Sequence, residues 1–445
     1  MITVIRCSIG FGVMEKCNEL DLRIEMPNLR TPMSFIVDDS APCINPLYYY
    51  RVQVGPSTPE YYSEMKGIPN DFLREFVEIV VEYGVKGKFT VIPFPAGLGS
   101  IETWLQGYSV SEMREWLDIV RQKLLDYFDI TPEMLTHTLA LNLETNATIP
   151  SAEQEDWHKK QNFETLVPYI SRALEILRDA RLSPNGVTSP GAFGYTIEGD
   201  YARAVLEAEK RVNGRKVAWY FLHTEEESKI VMPKLMYMDR WKGEAVVSMV
   251  SCNDDWIWET MTQDVRSRWK EDLISTYADK YISSDGRSGR LVEVLNAGSY
   301  VAFHTHWNSL YSNGAKIGLR VMHEVFNRIN SLLGERIQWM KFSEVAMLTA
   351  AAKSLNFKIV EKEDELALEL DSPFPCQNLT ISFRYGGKVR EAYLSRSGER
   401  SNESPIREAE EGSTRLESNA WMRRNGRIFF CVDLSKGNKI RFSLN

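Results

Sequence analysis

Cysteine and histidine are both scarce, with six of each in 445 residues. The cysteines (Cys7, Cys17, Cys43, Cys252, Cys376 and Cys431) are scattered and none forms a C-x-x-C pair, which argues against a zinc ribbon or thioredoxin-like redox site. Their density is too low for a disulfide scaffold and leaves the redox compartment open. A block of Lys and Arg is also missing. With a net charge of −8, the chain lacks the basic stripe that a nucleic-acid surface requires. No apolar run approaches the roughly 18 residues needed to cross a bilayer, so no membrane span is expected. The opening stretch MITVIRCSIGFGVMEK lacks a basic start and a small-residue cleavage site. No secretory signal is read there, and a cytoplasmic location is the default expectation.

What remains is ordinary globular material, 43% hydrophobic and 26% charged, with enough apolar residues for a large core. Eleven Trp and 19 Tyr serve either as core packing or as walls of a ligand cleft. From about residue 30 to 350, short apolar runs alternate with long amphipathic ones. The runs MSFIVDD, KFTVIPFP, NGVTSPG, KVAWYFLH, EAVVSMVSC, SYVAFHTHW and RIQWMKFS read as strands. NDFLREFVEIVVEYG, SVSEMREWLDIVRQKLLDYF, FETLVPYISRALEILRDA, DVRSRWKEDLISTYADKY and IGLRVMHEVFNRINSLLG read as helices, with Gly84 as a helix stop and a Ser-x-x-Glu start at Ser109 or Ser111. Strand and helix in alternation predict a parallel sheet covered by helices. Seven or eight such units predict a (β/α) barrel over residues 1–352, with residues 1–30 as an N-terminal extension. A doubly wound sheet would favour a glycine-rich loop after its first strand, and DDSAPC stands there instead. After Ala352 the runs become short and alternating. Residues 353–445 are expected to form a small β-sandwich-like domain, with SGERSNESPIREAEEGS as a polar loop inside it.

In a barrel, working residues stand at the carboxyl ends of the strands. Those positions hold Asp38 and Asp39, Glu133 and His137, the turn TSPGAFG, Asp254, Asp255 and Trp256, and His304 and His306. Each has a plain structural reading: paired aspartates cap turns, and a lone histidine is usually satisfied packing. Their convergence on one predicted face points to a site. Carboxylate and imidazole ligands suit a divalent metal with an open water position, and a second carboxylate and histidine supply a base and an acid.

These residues resemble the motifs of the NodB-type polysaccharide deacetylases, carbohydrate esterase family 4. SFIVDDS is similar to the motif whose paired aspartates are base and metal ligand, which implies those roles for Asp38 and Asp39. EMLTH is similar to the second motif and implies His137 as a metal ligand, with Glu133 ahead of it. SPGAFG is similar in part to the third motif. DDW implies Asp255 and Trp256 in the cleft, with Asp255 tuning the acid. GSYVAFH implies His304 as the catalytic acid. The resemblance implies a barrel hydrolase that removes an acyl group, N-acetyl first among them, from a carbohydrate. Its cofactor would be a divalent metal, zinc or else cobalt, nickel or manganese. Two positions depart from the pattern: Leu141 stands where a second metal histidine is expected, and Thr188 where an arginine orients the base. His306, or His158 in the long polar loop after Asn142, would complete the metal set. Trp256, Trp307 and Asn142 are the expected substrate contacts, with Trp258 part of the same wall. A metal-independent glycoside hydrolase, with Asp38 or Asp39 opposite Asp254 or Asp255, and a degenerate carbohydrate-binding protein are the competing readings. The sequence leaves the oligomeric state open.

Overall fold

The computed structural model describes residues 3–8, 20–49, 67–362, 365–395, 403–410, 412–434 and 439–444. Seven parallel strands surround the site, numbered here β1 (Thr31–Asp38), β2 (Gly87–Val91), β3 (Phe128–Pro132), β4 (Val187–Thr188), β5 (Val217–Thr224), β6 (Glu244–Ser251) and β7 (Val301–His306). They fall into two sheets. One runs β7-β1-β2-β3, with Ile337–Trp339 paired to the start of β1. The other runs β4-β5-β6, with Lys234–Asp239 antiparallel on the outer edge of β6.

The expected closed or nearly closed barrel is thus observed as two parallel sheets whose ladders do not join among the described residues. Two local causes are visible. β4 has only two residues, so its contact with β3 is a single bridge, Glu133 to Thr188. On the other side, Lys234–Asp239 occupies the edge of β6 up to Ser248 and leaves only its last turn facing β7. There Cys252 N donates to Ala302 O at 2.7 Å. The Asn253 side chain then does what a backbone would: its Oδ1 accepts from His304 N at 2.9 Å and its Nδ2 donates to His304 O at 3.2 Å.

Local chemistry explains the elements. β1 is buried along its full length, as a parallel strand covered on both faces should be. Gly87 lets β2 lie against β1: a Cβ there would stand 1.8 Å from Phe35 O. Ser109 caps Val110–Ile119 by accepting from Glu112 N at 3.4 Å, and Asn162 with Thr165 forms a reciprocal cap on Phe163–Asp179. Gly84, at φ +63°, follows the helix Asn70–Glu82. β3, FDITP, went unread because its polar residues hide it at the end of a helical pattern. Helices Glu198–Asn213 and Phe342–Ser354 were unread too.

Two chiefly antiparallel sheets pack on a shared core of Leu368, Leu370, Leu379, Ile381, Phe383 and Phe430, giving the sandwich-like arrangement over the C-terminal residues. Thr3–Ser8 pairs with Asn356–Glu361, and Arg23–Glu25 with Thr380–Ser382. The stretch expected as an N-terminal extension is thus part of these sheets. Ser404–Pro405 and Arg407–Glu408 are short edge strands within the expected polar loop, of which residues 397–402 and 411 lie outside the described residues, as do Cys17 and residues 9–19 of the opening stretch. Cys43, Cys252, Cys376 and Cys431 are buried free thiols. No helix among the described residues is long and apolar enough to cross a membrane.

One buried carboxyl gives the fold a pH signature. Glu209, fully buried, accepts from Gly186 N at 2.7 Å just before β4 and from Asn213 Nδ2 at 2.8 Å. Burial raises its pKa from the ordinary 4.5 to about 7, against the opposing pull of Asn213 and Arg215. Between those values the native state binds more protons than the unfolded chain, so this group's contribution to stability falls as pH rises, by about 1 kcal/mol per pH unit. Glu209→Gln should flatten that slope and make the protein more stable at pH 8 than the wild type, as read by urea unfolding at pH 5 and pH 8.

Candidate functional site

A cavity of about 400 Å³ opens at the carboxyl ends of the strands, lined by Asp38, Asp39, Glu133, His137, Ser189, Asp254, Trp258, His304 and His306 among others. β1 ends in Asp38, and the turn that follows puts Asp39 at φ +63°. Glu133 follows β3 directly, and His137, four residues later, also lies at φ +63°. Left-handed backbone at two neighbouring non-glycine residues is a cost that sites tend to hold.

These turns converge. His137 Nε2 lies 2.8 Å from Asp39 Oδ1 and 3.6 Å from Glu133 Oε1, while Glu133 Oε2 accepts from Asp39 N at 2.8 Å. Asp39, Glu133 and His137 are all buried, with donor atoms within 4.8 Å of one another, a spacing that could hold a metal ion. The third member of this set is Glu133, ahead of His137. Leu141, beyond it, is core. His306 and His158, the expected replacements, are both outside this set. His158 is buried against Phe193 and accepts from Gly194 N at 3.2 Å. The set is anchored from behind by Glu153, whose carboxylate accepts from the backbone N–H of Leu135, Thr136 and His137 at 2.8–3.3 Å and from Tyr169 Oη.

Asp38 has a different neighbourhood. Its Oδ1 pairs with Lys88 Nζ, and Lys88, fully buried on β2, also donates to Thr188 Oγ1 at 2.8 Å. His304 Nε2 stands 3.1 Å from Asp38 Oδ2 and its Nδ1 3.8 Å from Asp254 Oδ1, so the buried ring lies between two carboxylates. Burial alone would raise the Asp38 pKa. Lys88 and then His304 outweigh it and hold the carboxyl well below its ordinary value. His137 shows the converse: burial lowers its pKa, and Asp39 with Glu133 lifts it well above 6.5.

Asp255 is spent on His306, contrary to the expectation that it serves His304. Its two oxygens accept from Ile257 N, Thr305 Oγ1, His306 N and Ser309 Oγ at 2.5–3.1 Å, and from His306 Nδ1 at 2.9 Å. Burial pushes the His306 pKa down, but Asp39 and Asp255 carry it up to about 10.

Three expected substrate contacts stand elsewhere. Trp307 is fully buried among Phe72, Phe76 and Phe89, with ring centres 4.8–5.4 Å away. Trp256 packs at a tilt against Tyr281, ring centres 5.2 Å apart, and donates to Glu226. Asn142 is exposed in a turn and accepts from Glu144 N and Thr145 N. Trp258 instead faces the cavity, 5.1 Å from the His306 ring and packed with Leu47 and Met261. The polar loop after Asn142 lends Gln154 and Glu155 to the wall. Lys88 and Glu153 were missed by the sequence reading. A lone lysine inside the apolar run KFTVI was a readable signal for the first; nothing in SAEQEDW singles out the second.

No protein-family model matches the chain, and no curated protein does. Solved structures similar to it include a protein provisionally assigned as a polysaccharide deacetylase from Mycobacterium smegmatis, at 11% identity over 73% of this chain and 91% of that one, with a TM-score of 0.43. Another is provisionally assigned as a glycoside hydrolase/deacetylase from Parabacteroides distasonis, at 12% identity over 79% and 85%, with a TM-score of 0.40. A GH30 endoxylanase from Clostridium papyrosolvens matches at 8% identity over 95% and 97%, with a TM-score of 0.31. At these scores the likeness bears no weight, and function rests on the geometry.

Removing one partner of a buried ion pair strands the other. Lys88→Met should cost about 3–5 kcal/mol in urea unfolding. Adding Asp38→Asn to Lys88→Met should recover at least half of that loss. Equal stabilities for the single and double variants would show that the two groups do not depend on each other.

Proposed function

We propose that this protein is a metal-dependent hydrolase that removes an acyl group from a carbohydrate. The observation that supports it most is the buried Asp39–Glu133–His137 set, a three-donor arrangement beside a cavity that also holds an ionised carboxylate and a carboxylate-bound histidine. When bound there, a divalent cation would polarise the acyl oxygen and acidify a water.

The chain's own residues supply the rest. Asp38, fixed by Lys88 and kept ionised, is the acceptor for the proton of the attacking water. His306, held through Nδ1 by Asp255, keeps Nε2 for donation to the departing amine or hydroxyl. This assigns the acid role to His306, whose side chain is 22% exposed, and leaves His304, at 6%, beside Asp38. Trp258 with Leu47 offers an apolar wall to a sugar face, and Gln154, Glu155, Ser189 and Asp254 offer polar partners for hydroxyls. The motif resemblance of SFIVDDS and EMLTH supports the same reaction class. A metal-independent glycosidase is less well supported, because Asp255 is saturated by protein hydrogen bonds.

Acetate release from acetylated oligosaccharides should stop on chelation and return with added divalent metal. His137→Ala should lose the metal by elemental analysis. His306→Gln should keep it and lower kcat by roughly 10²–10⁴-fold. Acetate release that survives chelation unchanged would overturn the proposal.

A further inference from the structure

We infer that the Asp39–Glu133–His137 site is built for a hard, water-rich divalent cation of the manganese class, and that Glu133 sets this preference. The inference rests on the proposed function only in taking the site to be a metal site.

The donor chemistry is lopsided. Two of the three donors are carboxylates and one is an imidazole. Carboxylate and water ligands suit magnesium, calcium and manganese, whereas imidazole and thiolate suit zinc, copper and nickel. The other imidazoles stand outside this donor set: His304 lies 3.1 Å from Asp38 Oδ2. His306 is engaged through Nδ1 by Asp255. His158 lies against Phe193. No cysteine lines the cavity. Asp38 is withdrawn from the set by Lys88, which holds its Oδ1.

Geometry points the same way. Glu133 Oε2 is occupied by Asp39 N–H, which leaves Oε1 as a single donor atom facing His137. Three single-atom donors complete a tetrahedron with one water but an octahedron with three. The cavity, about 400 Å³, has room for the larger water complement. The His304 imidazole, 5% exposed, lines that cavity 3.1 Å from Asp38 Oδ2, where it can meet a ligand.

The test titrates MnCl2 and ZnSO4 separately into the metal-stripped full chain by calorimetry, for wild type, Glu133→His and Glu133→Gln. The quantity read is the ratio of the manganese Kd to the zinc Kd. Zinc binding more tightly in absolute terms is expected for any such site, so only the change in ratio decides. Glu133→His should raise the ratio at least about tenfold, by strengthening zinc. Glu133→Gln, which keeps the shape and removes the charge, should weaken manganese by about tenfold and zinc by less. It serves as the deciding variant if the histidine form does not fold. An unchanged or falling ratio in Glu133→His, or equal losses for both metals in Glu133→Gln, would overturn the inference. If neither metal binds wild type at millimolar concentration, this inference and the proposed function fail together. If the ratios move as stated while no acylated sugar is hydrolysed, the metal preference stands and the proposed reaction falls.

Discussion

Two adjacent carboxylates can be buried only if each has its own positive partner, and this constraint organises the site. Asp38 and Asp39 are both nearly sealed from solvent. Lys88 answers the first and His137 the second, from opposite sides of the β1 turn. The left-handed backbone of Asp39 turns its carboxylate away from that of Asp38, so the neighbours in sequence face different chemistry. One set of contacts leaves a carboxylate held in place and ionised. The other gathers a donor cluster that a cation can enter. The adjacent pair has two environments because β2 and the turn after β3 reach it with different side chains.

Much of this was legible in the sequence. The alternation of apolar runs with amphipathic helices located six of the seven parallel strands, and the end-of-strand rule brought Asp38, Asp39, Glu133, His137, His304 and His306 to one cavity. What escaped depends on three-dimensional register. That Asp255 meets His306 and not His304 follows from where the loop after β6 crosses the end of β7, which the two-residue spacing of histidines on one strand face cannot resolve. Glu133 was visible yet read only as the flank of a motif, because the donor count was sought beyond His137 and not before it. Trp307 and Trp256 were assigned by type, and an indole at a strand end packs inward as readily as outward. Trp307 ended the strand one residue past His306 and so turned into the aromatic core.

The incomplete closure of the strands bears on the same site. At both seams the ladder is replaced by side-chain and single-bridge contacts: Thr131 with Thr188 on one side, Asn253 with His304 on the other. Those seams are where Lys88 and His304 enter. A continuous ladder would satisfy every backbone group but would leave less freedom for the strand ends to splay, and the splay is what admits Glu133 beside Asp39 through the bridge residue itself. The fold therefore relaxes its hydrogen-bond regularity at the two places where polar side chains must gather.

The sheets at the far end of the chain have a temporal side. Thr3–Ser8 forms an edge of one sheet beside Asn356–Glu361, and Lys439–Leu444 lies in the interior of that sheet between Glu365–Asp371 and Ala392–Ser395. An early-synthesised segment must then wait, unpaired, while the seven parallel strands are made, and Lys439–Leu444 joins the sheet after them. Such long-range pairing is slow and exposes strand edges meanwhile. Assembly of this sheet is thus a clasp that fastens late, once both flanking chain regions have been made.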